Sequence, residues 1–222
     1  MKISVFKSLP AAALLLIGCA AHTSLAPLGQ GRLAPNIGIG GPIVEAFGTH
    51  VPIPYLLAGA DYGISGSVNA NAAVHLLPLA YGVAGLDAGA TWFPFRNDGW
   101  RPAIGLGPRI FLFASLKRNV ESRFFLYPAV SASASWKAGP GLLYTGGDLA
   151  LPLSRPEYDE EAESVIFSPF IGIQWNIGGS CALFTELKWN GANIETDRLA
   201  VKFTAVGNQG AVTPLVSIQR RF

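Results

Sequence analysis

The sequence predicts an all-β fold: a closed antiparallel transmembrane β-barrel of ten strands, with eight and twelve as the neighbouring counts. Three observations lead there. Apolar and polar residues alternate with period two in segment after segment, and no such run exceeds strand length. Apolar residues make up 50% of the 222 positions and charged residues only 14%, where a soluble domain carries about 25%. The 26 glycines and 16 prolines are too many for a helical membrane protein of this size and suit a turn-rich β architecture.

The chain opens with Lys2 and Lys7, then an apolar run from Leu9 to Ile17. That run is about half of what a membrane-spanning helix needs, and it reads as a secretory signal over residues 1–18. The stretch "LIGC" at Leu16–Cys19 follows directly and resembles the bacterial lipobox, whose cysteine is acylated and becomes the first mature residue. An ordinary signal peptide with a chance cysteine is the other reading; the position, small Gly18 and the following Ala20 favour lipidation of Cys19. Ala20 at that place resembles lipoproteins sent to the outer membrane. Cleavage before Cys19 removes two of the 16 basic residues and leaves 14 against 14 acidic, a formal charge of zero. That balance argues against nucleic acid or any strongly charged partner. Cys181 would then stand alone, with no internal disulfide and no metal-ligand spacing around it.

The domain division is a leader at 1–18, a lipidated N-terminus and tether at 19–33, and the barrel at 34–222. Ten alternating segments follow: 34–46, 52–64, 66–77, 81–95, 101–115, 123–138, 141–153, 164–178, 180–190 and 212–222. In the third, Ser67, Asn69, Asn71, Ala73 and His75 oppose Val68, Ala70, Ala72, Val74 and Leu76. In the fifth, Arg109 shares a face with Gly105, Gly107 and Phe111, opposite Ile104, Leu106, Ile110 and Leu112. In the sixth, Ser131, Ser133 and Ser135 oppose Leu126, Val130 and Trp136. The eighth is the clearest: Val165, Phe167, Pro169, Ile171, Ile173, Trp175 and Ile177 form one face, and the other is mostly small or polar. In the ninth, Glu186 and Lys188 oppose Leu183, Leu187 and Trp189.

Connections after the even-numbered segments are tight: "ISGS", "FRNDGWR", "KAGPG" and "IGGS". Those after odd-numbered segments include the longest, "SRPEYDEEAES" and the stretch 190–211. Short turns at one end and long loops at the other resemble the small bacterial outer-membrane β-barrels. The resemblance covers residues 34–222 and places both termini on the periplasmic side. Such barrels commonly end on an aromatic residue with apolar residues alternating back from it, and the barrel insertion machinery reads that strand. Phe222, Ile218 and Val216 match the pattern; Arg220 departs from it, and an Arg near the interface can snorkel. A soluble β-sandwich also alternates, but its outward face should carry charges, whereas the polar face here is mostly Gly, Ser, Ala and Asn. Trp92, Trp136, Trp175 and Trp189 lie near segment ends, as interfacial girdles do. The partners implied are outer-membrane lipid and the insertion machinery.

Alternation turns Asp61, His75, Asp87, Arg109, Lys137, Asp148, Glu186, Lys188 and Arg221 inward. Asp87, Arg109, Asp148 and Glu186 fall near mid-height, where a charge on the lipid face would be costly. With Lys188 and His75 they form the expected lumen polar network. A barrel of ten strands is little wider than one of eight, so a polar plug of paired charges is preferred over a solute path. His75 could serve a lipid-modifying enzyme, but its strand supplies no adjacent Ser or carboxylate, and a structural histidine is preferred. The acidic loop holding Glu157, Asp159, Glu160, Glu161 and Glu163 lacks calcium-loop spacing, and "GIGG" at Gly38–Gly41 is no phosphate loop. No catalytic residue, cofactor or metal is assigned. The expected role is a structural or interaction component of the cell envelope with a plugged lumen; a narrow channel is the alternative, and a lipid-modifying enzyme the more remote one.

Overall fold

A computed structural model describes residues 21–46, 48–80, 82–116, 124–153, 164–196 and 202–222. Its elements in chain order are β1 (Leu33–Gly40), β2 (Ile43–Ala46), β3 (Thr49–Pro52), β4 (Tyr55–Gly63), β5 (Val68–His75), α1 (Leu76–Ala80), β6 (Val83–Phe95), β7 (Ala103–Ser115), β8 (Phe124–Ala138), β9 (Gly141–Ala150), β10 (Ile166–Asn176), β11 (Cys181–Glu195) and β12 (Gln209–Arg220). β1 and β4 to β12 close into a ten-stranded antiparallel barrel, the fold expected from the alternation. The seam runs between first and last strands: Ile37 pairs with Ala58 of β4 on one side and with Ile218 of β12 on the other. At its end the Phe222 amide donates to the Leu33 carbonyl at 2.9 Å. Closure matters because an open strand edge in lipid would leave backbone groups unpaired.

Side-chain direction follows the pleat. On β10, Phe167, Ile171 and Trp175 point out, while Phe170 and Gln174 are buried inside. The outward set continues around the ring with Ile39, Leu106, Ile110, Leu143, Leu187 and Val216. Buried Asp61, Asp87, Asp148, Glu186 and Lys188 lie within. Apolar outside and charged inside inverts the order of a soluble domain and matches a wall facing hydrocarbon.

Several segment ends differ from the sequence expectation. Residues 34–46 were expected as one strand, but β1 stops at Gly40. Gly41 has φ +139°, a side chain there would run into the Ile53 carbonyl, and Pro42 has no N–H to offer a ladder. The chain turns there into the β2–β3 hairpin, which leans on Phe203 through Val44. β11 continues past residue 190 to Glu195, and β12 begins at Gln209, because the two go on pairing beyond a register shift at Asn190/Glu195.

The barrel thus has a turn end, with short connections, and a loop end. Toward the loop end the lumen is filled by Phe111, Phe113, Phe125, Tyr127 and Ile166. A second apolar cluster joins Tyr55, Leu57, Tyr144, Phe170, Phe184 and Leu215. Leu25, from the segment before β1, is part of that cluster.

Candidate functional site: the occupied lumen

The segment read as a tether lies inside the barrel from Ala21 to Leu28 and emerges at the turn end, where residues 30–32 are exposed. It is pinned first at the turn end, where the Gly31 amide donates to the Gly63 carbonyl at 2.8 Å and the Gly63 amide to the Arg32 carbonyl at 2.9 Å. Gly63 permits this approach: a Cβ there would stand 1.8 Å from the Gly29 carbonyl oxygen. Higher up, the Asn69 amide nitrogen donates to Ser24 Oγ at 2.8 Å and to the Ala26 carbonyl at 3.0 Å, and its oxygen accepts the Leu28 amide at 3.1 Å. Ser135 Oγ donates to the Leu25 carbonyl at 2.9 Å. Thr23 Oγ1 donates to Asp61 Oδ2 at 2.6 Å, an oxygen that also accepts from Gln219 Nε2 at 2.6 Å. Beyond the main-chain pairing at Gly31 and Arg32, the backbone groups of Leu25, Ala26 and Leu28 are thus met by wall side chains.

At mid-height the segment meets the charges. Arg109 forks onto Asp87, with Nη2 2.5 Å from Oδ2 and Nε 3.4 Å from Oδ1, and its Nη1 lies 3.8 Å from Asp148 Oδ1. Lys188 Nζ is 2.5 Å from Asp148 Oδ2. His22 fits between these groups. Its Nε2 is 2.9 Å from Arg109 Nη1, 3.2 Å from Ser131 Oγ and 3.3 Å from Asp148 Oδ1. Its backbone nitrogen donates to Glu186 Oε2 at 2.8 Å, an oxygen that also accepts the Tyr144 hydroxyl at 3.1 Å. All these charges are buried, and buried charges are retained only when paired and hydrogen-bonded.

Of the six residues placed in the polar network from sequence, the structure brings Asp87, Arg109, Asp148, Glu186 and Lys188 around His22. His75 lies apart toward the loop end, where it hydrogen-bonds Tyr55 and meets the Phe113 ring edge-on at 5.0 Å. Among the described residues the hydrogen-bonding partner of the His75 ring is that tyrosine, with neither a serine nor a carboxylate bonded to it. Lys137, also assigned inward, is exposed at the turn end of β8, where the wall opens to solvent. Val216 and Ile218 face outward, and the Arg220 guanidinium lies over the Phe222 ring at 4.9 Å. Cys19 and the acidic residues 157–163 lie outside the described residues.

Sequence reasoning missed His22, Thr23, Leu25, Asn69, Ser135 and Tyr144 as members of the site. A signal for them existed: inward rows such as Ser131, Ser133 and Ser135 beside Gly105 and Gly107 are too small to fill a ten-strand interior. Something else had to occupy it. With the segment in place, the cavity left beside His22, Asp61 and Arg109 is about 30 Å³, room for one or two waters.

No protein-family model matches the chain, and no curated protein does. Solved structures do resemble it. An outer-membrane channel from Pseudomonas putida F1 aligns over 91% of this chain and 100% of its own, at 12% identity and a TM-score of 0.50. The NanC porin aligns over 85% of this chain and 98% of its own, at 8% identity and a TM-score of 0.46. The translocator domain of the autotransporter NalP from Neisseria meningitidis aligns over 97% and 94%, at 10% identity and a TM-score of 0.44. The likeness to the Pseudomonas channel is one of fold: the chain is a β-barrel of the bacterial outer-membrane type, closed by ten strands.

Proposed function

We propose that this protein resides in the outer membrane with its turn end toward the periplasm, and that it serves the envelope as a structural or interaction component, not as an open pore. One observation carries the reading: residues 21–28 are bound inside the lumen, with His22 wedged between Arg109, Asp148 and Glu186. Aromatic packing toward the loop end supports it independently, since Phe111, Phe113 and Tyr127 narrow the same path. The outward apolar wall supports contact with lipid.

A gated narrow channel is the second reading. It is favoured by how residues 22–28 are held: side chains of the wall bind them, and the main-chain pairing with Gly63 is confined to Gly31 and Arg32 at the turn end, so this stretch could leave toward that end. Recording from the purified protein in planar bilayers separates the two. A silent wild type supports the closed barrel, voltage-dependent openings select the gate, and a steady open conductance overturns the closed lumen.

A further inference from the structure

We propose that the mature chain begins at His22 and that its α-ammonium group is bound inside the lumen by Glu186. This rests on the reading of residues 22–28 as a segment lodged in the barrel. The His22 nitrogen is 2.8 Å from Glu186 Oε2. As an internal amide it offers one proton, and Glu186 Oε1 is then left buried without a hydrogen-bond partner. A terminal ammonium offers three donors and a positive charge at the same place, enough for both carboxylate oxygens.

The charge balance points the same way. Asp87 takes the Arg109 fork, and Asp148 takes Lys188 and the edge of Arg109. Glu186 accepts hydrogen bonds from the Tyr144 hydroxyl and the His22 amide, and the His22 ring, 3.4 Å away, is a cation only when protonated. Burying a carboxylate is costly, and a permanent cation in direct contact with both of its oxygens offsets part of that cost.

The sequence allows the cut. Signal peptides are removed after small residues in an A-x-A-like pattern, and "CAAH" offers Cys19 and Ala21 with His22 next. A cut one residue earlier would also follow small residues, Gly18 and Ala20. Its ammonium would belong to Ala21, which lies in the apolar cluster with Tyr55, Leu57 and Phe184, a poor place for a charge. A start at Cys19 would tie the acyl chains within about 7 Å of Ala21 by chain length, and Ala21 is buried inside the barrel, away from its lipid-facing wall. Cleavage is hydrolysis of the Ala21–His22 amide: water adds across the bond, giving the leader a carboxylate and His22 its amine.

The test uses the full chain, expressed and recovered from outer membranes. Intact mass and N-terminal sequencing should give an unacylated chain starting at His22; a start at Ala20 or Ala21, or a diacylglyceryl group on Cys19, overturns the proposal. The folded protein is then treated at neutral pH with an amine-reactive reagent. The His22 amine should label at least about tenfold more slowly when folded than when unfolded in denaturant. Glu186→Gln should remove most of that protection, and equal rates in the folded and unfolded wild type overturn the binding even if the variant does not fold. A silent barrel with a different mature start would refute the terminus and leave the closed lumen standing; a conducting barrel starting at His22 would do the reverse.

Discussion

The rings of His22 and Phe170 lie face to face, centroids 3.8 Å apart and 15° from parallel. One belongs to the segment before the barrel and the other to the inner face of β10, so this stack joins segment and wall. Phe170 also lies under Lys188 Nζ, 5.8 Å from its centroid. A single aromatic face thus supports a histidine and a lysine beside two carboxylates. His22→Ala should remove the stack and the ring contacts to Arg109, Asp148 and Ser131. Hydrogen bonds to charged groups contribute about 1.5–3 kcal/mol each, so segment binding should weaken by that order. Planar-bilayer recording checks it: openings should appear or increase in the variant.

Arg109→Ala should destabilise the barrel through Asp87, which would lose both arms of its fork. Removing one partner of a buried pair typically costs about 3–5 kcal/mol, and water entering the lumen would lower the figure. Arg109→Lys should recover part of the loss, because an ammonium keeps the charge and forfeits the second hydrogen bond. Urea unfolding in detergent micelles should rank the three proteins wild type, Lys, Ala.

Gly172→Ala tests how tightly the inner face is packed. A Cβ there would stand 2.5 Å from the Tyr144 hydroxyl and 2.6 Å from the Thr185 carbonyl. The tyrosine would have to move away from Glu186, and overpacking of this kind typically costs about 1–3 kcal/mol. A lowered unfolding midpoint is expected, and an unchanged one would count against the packing described.

Ile171→Lys tests the outer face. Ile171 is 53% exposed near the middle of β10, with Leu187 opposite it. A lysine at the bilayer midplane of a barrel costs about 2–4 kcal/mol, whereas on a water-facing wall it would cost almost nothing. Folding yield into lipid vesicles against wild type reads the difference. Unchanged yield and stability would mean that this wall does not meet hydrocarbon.

The architecture was legible in the sequence because a strand pattern is a local property. Successive side chains point to opposite faces, so residues 165–178 announce which of them meet lipid without reference to any other strand. The same parity turns Asp87, Arg109, Asp148 and Glu186 inward, and it needs no knowledge of their neighbours. Partner choice is another matter. Arg109 and Asp87 are 22 residues apart, and which carboxylate takes the fork depends on register and strand tilt. The small inward side chains signal an unfilled lumen, but nothing in the pattern says that it is filled by residues 21–28. They carry no periodicity, and their place is set by long-range contacts: His22 to Glu186 across 164 positions, Ser135 to Leu25 across 110. Such contacts exist only once the barrel has closed and left a lumen too wide for its own serines and glycines. The sequence by itself therefore determined the strands, their faces and the closed wall. Only the tertiary structure decided what fills the interior, because that depends on the volume and the unmet polar groups that closure creates.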